Sequence, residues 1–247
     1  MTVLSIVAGM VAVFIRAPIA AYVDTARRAA LTDIADASLR RFDREIRMAL
    51  PNSIRIAENA GVTYIEFLQT SGAGRYRAAA ASPGVGDALD FTAVDNSFDV
   101  LGAQPDVPAN AQLVIMNLGV GSGADAYAGD NRSAIQSLSG GTLKFDPFLF
   151  PYESPSKRFF VVAGAVSYAC DPTAGTLRRY SGYPLSSAQQ TPPTGAHTAL
   201  VANKVSACSF GYDQVASRTG MVSTSLTLSS GGESVHLFHQ VAVSSSP

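Results

Sequence analysis

Three histidines, two cysteines and a scatter of loop carboxylates and glycines are the side chains here that could do chemistry. His236 and His239 stand three apart in an alternating stretch, so they face opposite sides of a strand and cannot hold one metal together. His197 lies beside a loop. No Gly-x-Ser-x-Gly, Cys-x-x-Cys or His-Glu-x-x-His pattern occurs, and Asp87, Asp90, Asp95 and Asp99 stand in loop-like sequence where spacing defines no acid/base pair. Residues 119–133 (GVGSGADAYAGDNRS) are rich in glycine, yet no Gly-Lys-Ser/Thr follows and no helical pattern opens after them, which excludes a P-loop. Asp125, Asp130 and Asn131 are weak calcium candidates, since they offer oxygens but match no EF-hand spacing. The plainer reading of the same loop is a surface turn region. No cofactor is implied, and the chain reads as a protein that is not an enzyme.

The elements that must position these residues begin with the first fifty. Residues 1–15 (MTVLSIVAGMVAVFI) carry no charge, the apolar character persists to Val23, and residues 24–50 follow without a linker. In that second half Leu31, Ile34, Leu39, Phe42, Ile46 and Leu50 recur at helical spacing, with Arg40, Asp43, Arg44 and Arg47 largely on the other side. Asp36 with Arg40, Arg41 with Glu45 and Asp43 with Arg47 are four-residue pairs of opposite sign that support a helix. Pro51 is its expected end. Fifteen apolar residues reach only about 22 Å, short of a bilayer core of about 30 Å, so a span needs the stretch to Val23, with Arg16 snorkelling and Pro18 tolerated. A secretory signal is the competing reading, but there is no basic region ahead of the apolar run. A chain that starts too late fits better than either.

With 247 residues, 47% hydrophobic and 15% charged, the sequence can bury a sizeable core. A net charge of -1 gives no electrostatic case for nucleic acid. Cys170 and Cys208 lie in strand-like sequence and read as one disulfide of an exported domain, the alternative being two unpaired buried thiols.

After Pro51 the pattern alternates to the end. Strands are expected at 52–57, 62–68, 98–101, 112–117, 142–145, 158–163, 165–170, 176–180, 198–201 and 205–212. Residues 70–88 read as a loop, residues 171–175 (DPTAG) as a turn, and residues 184–196 as a long proline-containing loop. Residues 220–229 and 234–243 form a closing hairpin around Gly231-Gly232, with Val222, Thr224, Leu226 and Leu228 on one face and Val235, Leu237, His239 and Val241 on another.

A chain that opens as an apolar helix, turns amphipathic and passes into antiparallel strands resembles the type IV pilins and pseudopilins. Residues 22–26 (YVDTA), 44–55 (REIRMALPNSIR), 166–172 (VSYACDP) and 237–243 (LFHQVAV) resemble the O-type minor pilins of mannose-sensitive haemagglutinin (MSHA) pili, over essentially the whole length. The resemblance implies an α+β, pilin-like fold with a long N-terminal helix packed on antiparallel sheet. Its parts would be residues 1–23 as a transmembrane or filament-core half, residues 24–50 as an amphipathic half, and residues 51–247 as a β-rich head. It implies a structural subunit for surface attachment, held in the bacterial inner membrane with its head in the periplasm and carried to the pilus on assembly. The partners would be other pilin subunits and inner-membrane assembly proteins.

Leu4, Val7, Gly9, Val11, Phe14, Ile15 and Pro18 are then the membrane and assembly residues, the small glycine permitting close helix approach and the proline a place for local melting. In the family a basic leader ending in glycine is cut by a prepilin peptidase, and a glutamate follows five residues on. None of these positions exists in this sequence, so that peptidase is a partner only if the true start lies upstream of Met1. Two neighbouring readings are a J-like minor pseudopilin of a type II secretion system and a membrane-anchored adhesin binding its ligand through residues 119–133 and 184–196.

Overall fold

Twelve strands and a single helix are described in this computed structural model, which covers residues 2–82, 84–216 and 219–244; for residues 2–18, 20 and 214–216 it describes the backbone alone. The helix α1 is Thr2–Ile46. The strands are β1 Arg55–Asn59, β2 Val62–Tyr76, β3 Asp95–Leu101, β4 Gln112–Val114, β5 Arg132–Ser139, β6 Thr142–Phe148, β7 Arg158–Asp171, β8 Thr176–Ser181, β9 His197–Asn203, β10 Val205–Ala216, β11 Thr219–Ser230 and β12 Glu233–Ser244.

They form two antiparallel sheets. The larger runs β1-β2-β3-β6-β5-β4-β7-β8-β9, and a further pairing of β2 with β7 closes β2, β3, β6, β5, β4 and β7 into a ring. The smaller sheet is β10-β11-β12. This overturns the expected α+β, pilin-like class: the protein is predominantly β, and much of its core is sheet closed on sheet. Tyr76, Phe98, Leu113, Phe145 and Phe159 are buried together where the ring closes, with Phe98 5.2 Å from Phe159 and 5.9 Å from Phe145 between ring centroids. Edge-to-face and tilted pairs at such distances stabilise beyond their area. No helix among the described residues is long and apolar enough to cross a membrane; the expected transmembrane segment falls on residues 1–23, most of whose side chains lie outside the described ones.

The closure was hidden in a stretch read as loop. Residues 70–76 continue β2, and 70–75 pair with 158–162 of β7, with register shifts around Thr70. Gly72 and Gly74 are there because their backbones approach closely: a Cβ would stand 2.7 Å from Pro105 at the first and 2.6 Å from the Phe159 ring at the second. Glycine content that lowers strand propensity is thus a packing requirement. The expected strands 158–163 and 165–170 are likewise one strand, β7, which passes through Gly164, where a φ of 151° and not a close contact favours glycine.

A second core lies where α1 meets both sheets. Leu31, Ala35, Leu39, Phe42 and Ile46 are buried against Ile65, Phe67, Val166 and Tyr168 of the large sheet and Val222, Leu226, Leu228 and Val241 of the small one. The helix stops at Ile46, before Pro51 requires it to, because the next residues are drawn to β2: the Leu50 amide donates to the Leu68 carbonyl at 2.7 Å and the Thr70 amide to the Met48 carbonyl at 2.9 Å. The expected pairs Asp36–Arg40 and Arg41–Glu45 form. Asp43 turns away to His239 of β12 at 2.9 Å, and Glu45 also takes Arg179 of β8 at 2.7 Å, so the last turns are tied to both sheets.

Cys170 of β7 and Cys208 of β10 form a disulfide across 38 residues, linking the sheets. A loop of that length is worth about 4 kcal/mol in the chain-entropy account. Thermal unfolding of the Cys208→Ser chain is expected about 8–16 °C lower than that of the oxidised protein, as calorimetry would read it.

Burial also marks the tyrosines. It raises the phenol of Tyr76 to about 12 and is the first cause of the upward shifts of Tyr64, Tyr127, Tyr168 and Tyr183, with the Glu66 carboxylate adding to those of Tyr127 and Tyr183 and that of Glu45 to Tyr168. A raised phenol pKa means that the folded state keeps a proton which the unfolded chain releases. The associated stability is complete below the ordinary phenol value near 10 and is lost as pH climbs through the folded values. Absorbance titration of native protein is expected to show these five of the nine tyrosines ionising late, and cooperatively with unfolding. Normal titration of all nine would contradict it.

Candidate functional site

The feature of α1 with most consequence is where it leaves the body. Its forty-five residues span about 67 Å at 1.5 Å per residue. Docking begins at Arg27 and Arg28, which hold the β11–β12 turn: Arg27 donates to the Gly231 carbonyl at 3.0 Å and Arg28 pairs with Glu233 at 2.8 Å. The turn packs closely on Arg27, since a Cβ on Gly231, at φ 57°, would meet its guanidinium at 2.8 Å. Before that point the described side chains, Ile19 and residues 21–26, are all exposed. Ile19, Tyr22 and Val23 are 58%, 76% and 44% exposed, and the backbone continues helical to Thr2. An unsupported helix is marginal in water, and one whose sequence is apolar needs a partner surface. The side chains of Leu4, Val7, Gly9, Val11, Phe14, Ile15 and Pro18, the expected assembly residues, lie outside the described ones.

The two long loops are held at their bases by a buried polar network that sequence reasoning missed. Glu66 of β2 is 2% exposed, takes Arg55 Nε of β1 at 2.5 Å and accepts from the Tyr183 hydroxyl at 2.8 Å. Arg55 also donates to the Ser186 and Ser187 carbonyls and lies 3.6 Å over the Tyr127 ring. Residues 119–133 and 184–196 are therefore gathered around one guanidinium. The only signal was a Glu in the apolar run 62–68 and an Arg in the adjoining strand, and alternation alone does not reveal that β1 and β2 place them opposite each other.

The calcium candidates do not converge. Asp125 is buried with one carboxylate oxygen accepting the Tyr127 amide at 2.9 Å, whereas Asp130 is exposed. Asn131 is buried and turns its amide N–H groups toward the Met116 and Ala124 carbonyls, both at 3.2 Å. A nitrogen donor aimed at the oxygens a cation would need is the wrong arrangement for calcium. Among the described residues no three His, Cys, Asp or Glu side chains group to hold a metal. The loop's polar groups serve its own folding: Asn117 donates to the Pro51 carbonyl at 2.7 Å and accepts from the Ala126 amide, and Tyr127 donates to the Ser53 carbonyl at 3.0 Å.

The histidines separate as alternation requires. His239 faces α1 and meets Asp43, while His236 on the outer face meets the Thr227 hydroxyl at 3.0 Å. Asp87 and Asp99 are joined through a loop: the Asp87 amide donates to Asp99, whose carboxyl is held below the usual range first by that bond and then by Thr142 and Arg77. No family model, no curated protein and no solved structure matches this chain.

Proposed function

We propose that this chain is a structural subunit of a type IV pilus-like surface filament, a minor pilin of the MSHA kind, assembled through the N-terminal half of α1. One observation carries the reading: the helix runs on past the body with Ile19, Tyr22 and Val23 exposed, into a segment whose sequence is apolar. Helices of neighbouring subunits would cover it, with van der Waals packing and dehydration of apolar surface as the driving terms. The sequence blocks 44–55 and 237–243 support the assignment independently. Asp43, the residue just before the first block, and His239 of the second close the seam between helix and small sheet.

The test uses the full chain expressed in a piliated host. The protein is expected in filaments sheared from the cell surface, and the Leu4→Lys and Val7→Asp chains are expected to be lost from that fraction with the unfolding temperature of the body unchanged. Assembly of both variants at wild-type levels, or wild-type protein absent from sheared filaments, would overturn the proposal.

A further inference from the structure

The free edge of β7 is interrupted. Strand β4 pairs with it at residues 160–162 and β8 from Val166 onward, so among the described residues no strand pairs with Ala163, Gly164 and Ala165 on that side. Ala163 is moreover bulged out of the β2 ladder, which passes from Gly164 to Val162. Val162 and Val166 are about 13 Å apart at 3.3 Å per residue, and this slot opens into a cleft of about 370 Å³. Asn110, Gln112 and Arg132 line one side and residues 182–185 the other. Nothing stands within 4 Å of where a Cβ on Gly164 would be.

Arg132 is the side chain here without an evident structural purpose. Among the described residues its side chain makes one hydrogen bond, from Nη1 to the neutral amide oxygen of Gln112 at 3.3 Å. Its Nε is buried and has no acceptor, and among the described residues no carboxylate pairs with it. Burial lowers the guanidinium pKa, against a smaller opposite pull from Asp125, whose carboxylate already accepts the Tyr127 amide. Asp146, lining the groove on the other side of Arg132, is bonded to Gln136. A half-buried cation with unused donors beside unpaired backbone is incomplete as a structural element and complete as a receptor for an anion.

We propose that this slot binds a small organic monocarboxylate, its carboxylate on the Arg132 guanidinium and its hydroxyl or amide groups on the open β7 edge and the Asn110 and Gln112 amides. One guanidinium balances one negative charge, which favours a carboxylate over a phosphate dianion. The volume and the free main-chain groups suit an acidic sugar residue or the last two residues of a peptide, both presenting the same chemistry. The inference is independent of filament assembly, since it concerns the large sheet and not α1.

Calorimetric titration of the full chain with glucuronate and with N-acetyl-alanyl-alanine tests it, against glucose and the dipeptide amide as uncharged counterparts. At least one acid is expected to bind saturably with Kd of about 1 mM or tighter, and its uncharged counterpart about tenfold more weakly or worse. Which acid binds distinguishes the sugar from the peptide source. Arg132→Gln and, separately, Ala163→Leu, which fills the slot from an exposed position, are each expected to weaken binding about tenfold or more with the unfolding temperature kept. If Arg132→Gln does not fold, Ala163→Leu decides. Neither acid binding at about 10 mM, or undiminished binding to the folded variants, would overturn the proposal.

Discussion

Replacing Glu66 by alanine is expected to destabilise the protein by about 3–5 kcal/mol, the range for removing one partner of a buried ion pair. The reason lies in what remains. Arg55, whose side chain is 12% exposed, would keep its bonds to Ser186 and Ser187 but lose the carboxylate that neutralises it, and the Tyr183 hydroxyl would lose its acceptor. A buried charge left alone costs more than the pair contributed. Glu66→Gln preserves the shape and an acceptor for Tyr183 and is expected to cost less. Because Arg55 gathers both loops, hydrogen exchange is expected to rise in residues 119–133 and 184–196 together. Urea unfolding of the Arg55→Met and Glu66→Leu single variants and of the double variant carrying both completes the cycle. A coupling indistinguishable from zero would remove the network from any account of loop order.

The second large effect is expected at Phe42. Its side chain is 1% exposed, stands edge-on to Tyr168 with ring centroids 5.1 Å apart, and lies 5.7 Å from Phe210. One ring on the helix therefore touches β7 of the large sheet and β10 of the small one. Phe42→Ala is expected to cost about 3–5 kcal/mol, through lost transfer energy and the cavity left between three elements that cannot collapse together. The disulfide between those same strands holds the sheets together, so the expected local consequence is release of the helix. Limited proteolysis should cut the variant within residues 27–46 before it cuts the strands. Cleavage in the large sheet first would show that α1 contributes little to the seam.

Much of the local architecture was legible without coordinates. The closing hairpin was, because Val222, Thr224, Leu226 and Leu228 alternate with polar residues around Gly231-Gly232, and these four are the buried face of β11. So was the turn at 171–175, where the Asp171 side chain accepts from the Ala174 amide at 2.8 Å. The disulfide followed from cysteine number and context. The α+β class came with the pilin resemblance, which rests largely on the N-terminal helix, while strands carrying glycine, such as 70–76, weaken the β signal where the ring closes. Asp43 was paired with Arg47 on helical spacing, and it instead meets His239, 196 residues away.

The candidate sites divide in the same way. The apolar run of the first 23 residues and the helical stripe after it are properties of residue order, since period and hydropathy are local quantities that any reader of the chain can extract. The Arg55–Glu66–Tyr183 network, the release of α1 at Arg27 and the slot beside Arg132 were decided only by tertiary structure. A period of two assigns each side chain to a face but says nothing about which strand lies next to it, and these three features depend on which strands are neighbours and where one neighbour ends.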